Sequence, residues 1–156
     1  MKTVKSIALF LVFSAFGATA FTQTAAQNKA AMLKVYDYLN NRNFDGFASV
    51  LAENFVEHAA PEPTTGVAPA VEGLKMMTQA FPDFKINVDK IVAEGNTVMA
   101  YITVTGTFTN AFMGMEPTGK SFKIQDVDIV EFNSAGKGVA HWAVQDPMVM
   151  MSQVAK

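Results

Sequence analysis

Two aspartates two residues apart, Asp126 and Asp128, lie in a stretch whose other alternate positions are Phe122, Ile124, Val130 and Phe132. Side chains alternate faces along a strand, so both carboxyls belong to the apolar, inward face. A buried carboxylate without a partner is costly, and burial moves its pKa toward values useful for carrying protons. Asp128, in mid-strand, is the candidate acid/base, the alternative being a structural carboxylate that accepts backbone N–H groups. Asp126, nearer the strand's start, suits a ligand contact or a carboxylate that accepts backbone N–H groups at the sheet rim. His141, with the parity of Val139, Ala143 and Gln145, is the second catalytic candidate. A histidine there either holds and passes a proton near neutral pH or is a core histidine satisfied by a carbonyl. Gln145 shares its face and is taken as a ligand contact.

Three further residues complete the expected binding set. His58 ends a short extended piece beside a proline-rich loop, where pocket mouths are commonly built. Met113 sits in the apolar loop Asn110–Gly119, which fits a lid over a cavity or a subunit contact. Phe81 closes the third helix. Asp146 is set aside, because Asp followed by Pro147 is a standard helix start with the carboxylate as cap. Trp142, of opposite parity to His141, reads as packing or subunit contact.

The rest of the inventory excludes other chemistry. There is no cysteine among the 156 residues, so thiol nucleophiles, disulfides and iron–sulfur clusters are out. Two histidines leave little for a zinc site, and no metal site is expected. A formal charge of −2 lacks the clustered Lys and Arg that gripping nucleic acid requires. No G-x-S-x-G elbow, phosphate-cradling glycine loop or H-E-x-x-H is present. Half the residues are apolar and 17% charged, the composition of one packed domain.

The elements that must position these residues follow from periodicity. Lys2 and Lys5, the apolar run Ile7–Phe16 and the stretch Gly17–Ala20 have the order of a secretory signal peptide over residues 1–20. The apolar run is too short to span a bilayer comfortably. A periplasmic or secreted mature chain without stable membrane insertion is expected. Met32, Val35, Tyr36 and Leu39 recur at helical spacing and predict a helix over Asn28–Asn41. A short helix after Asn43 is predicted next, then an extended Phe55–His58, a loop over Ala59–Ala68, and a helix that Pro82 stops. Beyond it the period becomes two, predicting strands over Phe84–Ala93, Val98–Phe108, Phe122–Phe132 and Gly138–Val144. Pro147–Val154 closes the chain as a helix. This is an α+β domain, with a curved, mainly antiparallel sheet wrapped over helices around an apolar cavity.

Several local phrases carry a resemblance. They are NFVEHAAP (Asn54–Pro61), FPDFKINVDKIVAEGNTV (Phe81–Val98), VTGTFTNAFMGMEPTGK (Val104–Lys120) and DIVEFNSAGKGVAHWAVQD (Asp128–Asp146). With the element order, they resemble the SnoaL-like polyketide (ester) cyclase family of the nuclear transport factor 2-like superfamily, over a domain at residues 28–154. The resemblance implies a cone-shaped α+β barrel, usually oligomeric, here expected as a homodimer. It also implies intramolecular ring closure by aldol chemistry without metal or cofactor. In those cyclases an aspartate on the last strand is the acid/base. That position is Ala143 here, so another carboxylate must take over or the reaction is lost. Asp128 falls where the cyclases line their pocket with a polar residue.

Two functions are therefore expected to compete. One is a cofactor-free cyclase or isomerase acting on a small apolar carbonyl compound, with Asp128 as acid/base and His141 and His58 orienting substrate or carrying protons. The other is a non-catalytic module that binds a small molecule or assembles oligomers on the same fold.

Overall fold

The structure, a computed structural model, describes residues 24–59 and 62–155; the expected signal peptide lies outside them. Helix α1 spans Ala25–Asn40, beginning a turn before the apolar periodicity does. The reason is a capping box: Thr24 accepts from the Gln27 backbone and Gln27 returns the bond to Thr24. Asn43 caps the short α2, Phe44–Ser49. Strand β1 runs from Leu51 to Glu57 and pairs with a two-residue β2, Thr64–Thr65, inside the expected loop. Helix α3, Val67–Ala80, carries Pro69 in its first turn, where a missing N–H costs nothing. Strands β3 (Lys85–Glu94), β4 (Thr97–Thr107), β5 (Ser121–Phe132) and β6 (Gly138–Ala143) follow. Helix α4, Pro147–Val154, ends the chain.

The sheet has six strands in the order β2-β1-β6-β5-β4-β3. Four antiparallel strands were expected; β1 adds itself beside β6 in parallel, with Glu57 opposite His141. The sheet is thus mixed, and it curves without closing, so the cone has two free edges rather than a barrel's seam. Helix α1 packs on β3 and β4, and α4 on β5. Alternation along β4 is strict, with Val98, Ala100, Ile102 and Val104 buried, and β5 follows it through Phe122, Ile124, Asp128, Val130 and Phe132, with only Asp126 of that face half-buried.

Two features hold the helices in register with the sheet. The Asn40 side chain pairs with both backbone groups of Ile86, at 2.8 Å each, closing part of edge strand β3. The fully buried Phe81 packs against Phe108, Phe112 and Phe122 with centroids 5.2–5.7 Å apart. Gly106 makes this cluster possible, because a Cβ there would meet Phe122 at 2.8 Å. Among the described residues no helix is long and apolar enough to cross a membrane.

Candidate acid/base site

Asp128 stands between two alanines, Ala100 on β4 and Ala143 on β6. Their small side chains leave its carboxyl room on the inner face, where the residue is 8% exposed. It is not the unpartnered carboxylate that parity alone suggests. The Tyr36 hydroxyl donates to Oδ2 at 2.9 Å, and His141 Nε2 lies 3.3 Å from Oδ1. The other imidazole nitrogen, Nδ1, lies 2.8 and 2.9 Å from the two oxygens of Glu57. One polar chain, Tyr36–Asp128–His141–Glu57, therefore draws a member from each of α1, β5, β6 and β1.

Charge in this chain follows from its neighbours. Burial is the largest single influence on His141 and opposes its protonation. The hydrogen bonds and charges of Asp128 and Glu57 together outweigh it and push the imidazole up to about 10. At neutral pH both ring nitrogens thus carry protons, Nδ1–H donating to Glu57 and Nε2–H facing Asp128. Burial, then the charge of Asp128 and its hydrogen bond, raise the Tyr36 phenol well above its ordinary range, with Asp126 adding to the effect. Tyr36 stays a neutral donor.

Asp126 plays a different part. Its Oδ1 accepts backbone N–H groups from Val127, Val144 and Gln145 at 2.7, 3.1 and 2.8 Å. This ties the exit of β6 back onto β5 and sets the path into α4. The rim-carboxylate role is realised, and the residue still borders the cavity, as does Gln145.

The cavity measures about 500 Å³. Met32, Val35 and Leu39 of α1, Leu74 and Met77 of α3, and Ile102, Ile124 and Val130 of the sheet form its apolar wall. Asp128, His141, Glu57 and Tyr36 open onto it from the sheet and α1, and Ala143 borders it directly across from Asp128. Among the described residues, no three His, Asp or Glu side chains are arranged to hold a metal ion.

Three residues expected to contact a ligand stand elsewhere. Exposed His58 stacks on Trp142 with ring centroids 4.6 Å apart and planes 2° from parallel, outside the cavity. Trp142 thereby has a packing partner, in keeping with its opposite parity. Phe81 serves the aromatic core. Met113 is 76% exposed, in the loop between β4 and β5. That loop borders a separate hollow, lined by Phe108, Met115, Met148 and Met151, and is no lid over Asp128. Asp146 is the cap of α4, accepting from Met148 N–H at 2.8 Å with Pro147 at the first helical position.

Two members of the polar chain, Tyr36 and Glu57, escaped the reading of the sequence as site residues. Tyr36 passed as one of four apolar positions on α1, although its hydroxyl marks it as the polar-tipped one. Glu57 finds His141 only through the parallel β1–β6 pairing across 84 residues, for which its local sequence holds no signal.

The sequence profile of the SnoaL-like polyketide cyclase family matches residues 29–154. Among solved structures, the chain is similar to AclR from Streptomyces galilaeus, provisionally named a hydroxylase, with 28% identity, a TM-score of 0.72, and coverage of 85% of this chain and 100% of that one. A protein of Jannaschia sp. CCS1, provisionally named a SnoaL-like polyketide cyclase, aligns with a TM-score of 0.77 at 19% identity, covering 83% and 92%. An LEH-like epoxide hydrolase of M. tuberculosis aligns with a TM-score of 0.68 at 15% identity, covering 83% and 90%. At such identities the latter two speak to the fold alone. No curated protein matches the chain.

Proposed function

The chain belongs to the SnoaL-like polyketide cyclase family, and from that premise we propose an exported acid/base enzyme of cyclase or isomerase type. Its substrate in this reading is a small, mostly apolar carbonyl compound, and it works without metal or cofactor, as the resemblance implies. One observation carries the proposal: a connected Tyr36–Asp128–His141–Glu57 chain opens onto a mostly apolar cavity of about 500 Å³. An apolar hollow with a few convergent polar groups is the usual form of a small-molecule site. Ala143 at the cyclases' acid/base position does not weigh against it, because Asp128 is its direct partner in the ladder. Cβ atoms of such partners are about 5 Å apart, so the carboxyl of Asp128 reaches the same part of the cavity.

In the proposed reaction Asp128 takes a proton from a carbon beside the substrate carbonyl. The C–H electron pair becomes the enolate, whose oxygen then needs a donor. Tyr36 O–H and His141 Nε2–H both face the Asp128 carboxyl. Once that carboxyl is protonated its hold on them weakens, and either can serve the enolate oxygen, as can the Gln145 amide. In an isomerase the proton returns from Asp128 to a different carbon. In a cyclase the enolate carbon bonds to a second carbonyl carbon of the same molecule, and the alkoxide formed there takes the proton.

A homodimer belongs to this reading, supported by apolar Val92 and Met99 standing uncovered on β3 and β4. The competing binding-module reading rests on the missing acid at Ala143. Deuterium uptake by β-tetralone in heavy water, followed by proton NMR, separates the two. Uptake at the carbons beside the carbonyl, above the solvent rate, is expected. Binding of β-tetralone with no catalysed uptake supports the module instead.

A further inference from the structure

Three carboxyl groups border the cavity, from Glu57, Asp126 and Asp128, against one imidazole, and no Lys or Arg is among the described lining residues. Five of the six carboxyl oxygens are engaged. Those of Asp128 face Tyr36 and His141, those of Glu57 face His141, and Asp126 Oδ1 gathers three backbone N–H groups. Asp126 Oδ2 has no hydrogen-bond partner among the described residues, and neither does the side-chain amide of its neighbour Gln145. The fold uses one oxygen of Asp126 to set its own backbone and leaves the other unpaired, on a half-buried residue that borders the cavity.

An acceptor in apolar surroundings is most favourably paired with a donor that brings opposite charge. A carboxylate entering here would add like charge to a wall whose one cation, the His141 imidazolium, already faces Asp128 and Glu57 with both its nitrogens. We propose that the cavity selects a ligand carrying a protonated amine on an apolar frame, with the ammonium on Asp126 Oδ2 beside the Gln145 amide, and rejects carboxylates. This deepens the substrate class and rests on the same cavity being the substrate site. Asp126 and Asp128 are two residues apart on one strand face, roughly 7 Å along the strand. An ammonium at the first and an acidic C–H at the second therefore fit a single small molecule, an amino ketone with the amine a few bonds from the reacting carbon. Asp126 would be the specificity residue and would take no part in proton transfer.

Asp126→Asn is a clean probe, because the amide oxygen can keep the three backbone bonds while the NH₂ replaces the free oxygen with a donor. Titration calorimetry with naphthylmethylamine, naphthylmethanol and naphthoate holds the apolar frame constant and varies only the polar group. The amine should bind wild-type protein about tenfold or more tightly than the alcohol, with the carboxylate weakest. In Asp126→Asn the amine should lose that advantage while the alcohol changes by less than about threefold. Equal binding of all three probes, a preference for the carboxylate, or an amine preference that survives Asp126→Asn each overturns the inference. The wild-type ranking needs no variant and by itself overturns the inference if the amine is not preferred; where Asp126→Asn fails to fold, Asp126→Ser, which also removes the carboxylate, assigns the preference to Asp126. It is also independent of β-tetralone exchange: exchange without an amine preference sinks this inference alone, and an amine preference without exchange sinks the catalytic reading alone.

Discussion

Replacing Glu57 with Gln removes one of the two carboxylates that hold the His141 proton, and the consequence depends on pH in a defined direction. The imidazole titrates at 6.5 in its unperturbed state and at about 10 in the fold, so between those values the folded chain binds a proton that the unfolded chain has released. The stability this contributes is complete below pH 6.5 and is withdrawn as the pH climbs through about 10. Breaking a fully buried ion pair by removing one partner costs about 3–5 kcal/mol, and an exposed pair is worth about 0–1 kcal/mol. The side chains of His141 and Glu57 are 22% and 23% exposed, which places the cost between these limits, at about 2 kcal/mol. Gln keeps an oxygen for the Ala59 N–H that Glu57 now accepts at 2.8 Å, so the loss is mainly that of charge. For a domain of this size the melting temperature should fall by roughly 6–10 °C near neutral pH. Near pH 10 about half of the wild-type molecules have themselves lost the His141 proton, and the gap between the two should have narrowed markedly. Melting curves followed by circular dichroism across this range decide it. A gap equally wide at both ends would refute the charged His141–Glu57 pair.

Two other expectations concern residues outside the proton chain. Asp146→Asn should preserve both stability and any activity, since Asn caps a helix nearly as well, and Asp146→Ala should cost about 0.5–2 kcal/mol in denaturant unfolding; a stable but inactive Asp146→Asn would return this residue to the catalytic list. Protein recovered from its native host should begin between Phe21 and Asn28 and come from outside the cytoplasm, as N-terminal sequencing would establish, and an intact Met1 on soluble cytoplasmic material would contradict export.

Strand alternation made Asp128 and His141 legible, because a period of two puts a residue's face on record wherever the strand itself is recognised. The same pattern placed β4 and β5 within one residue of their observed ends. It could not pair strands across the chain. Only the end of β1, from Phe55, was recognisable as extended, and its parallel seat beside β6 is a tertiary fact; with it went Glu57 as the second partner of His141. Tyr36 was hidden for the opposite reason, its ring satisfying the apolar stripe of α1 so well that its hydroxyl drew no attention. Phe81 and Met113 show the limit for apolar residues: sequence marks them as apolar without saying whether the space beside them is filled. Phe81 is packed on several sides by other phenylalanines, and Met113 stands out in solvent. His58 was placed correctly beside a loop, but its ring found Trp142 outside the cavity.

The central claim is that Asp128 moves the substrate's proton, and Asp128→Asn tests it most directly when exchange, binding and stability are measured on one preparation. Asn can still accept from Tyr36, and His141 keeps Glu57, so the protein should remain folded at the assay temperature. β-Tetralone should bind within about tenfold of wild type, because the cavity's shape and apolar wall are unchanged. Catalysed deuterium uptake should disappear. Uptake that persists in a folded Asp128→Asn protein, or binding and uptake lost together as the protein melts, would contradict the claim and leave Asp128 a structural residue.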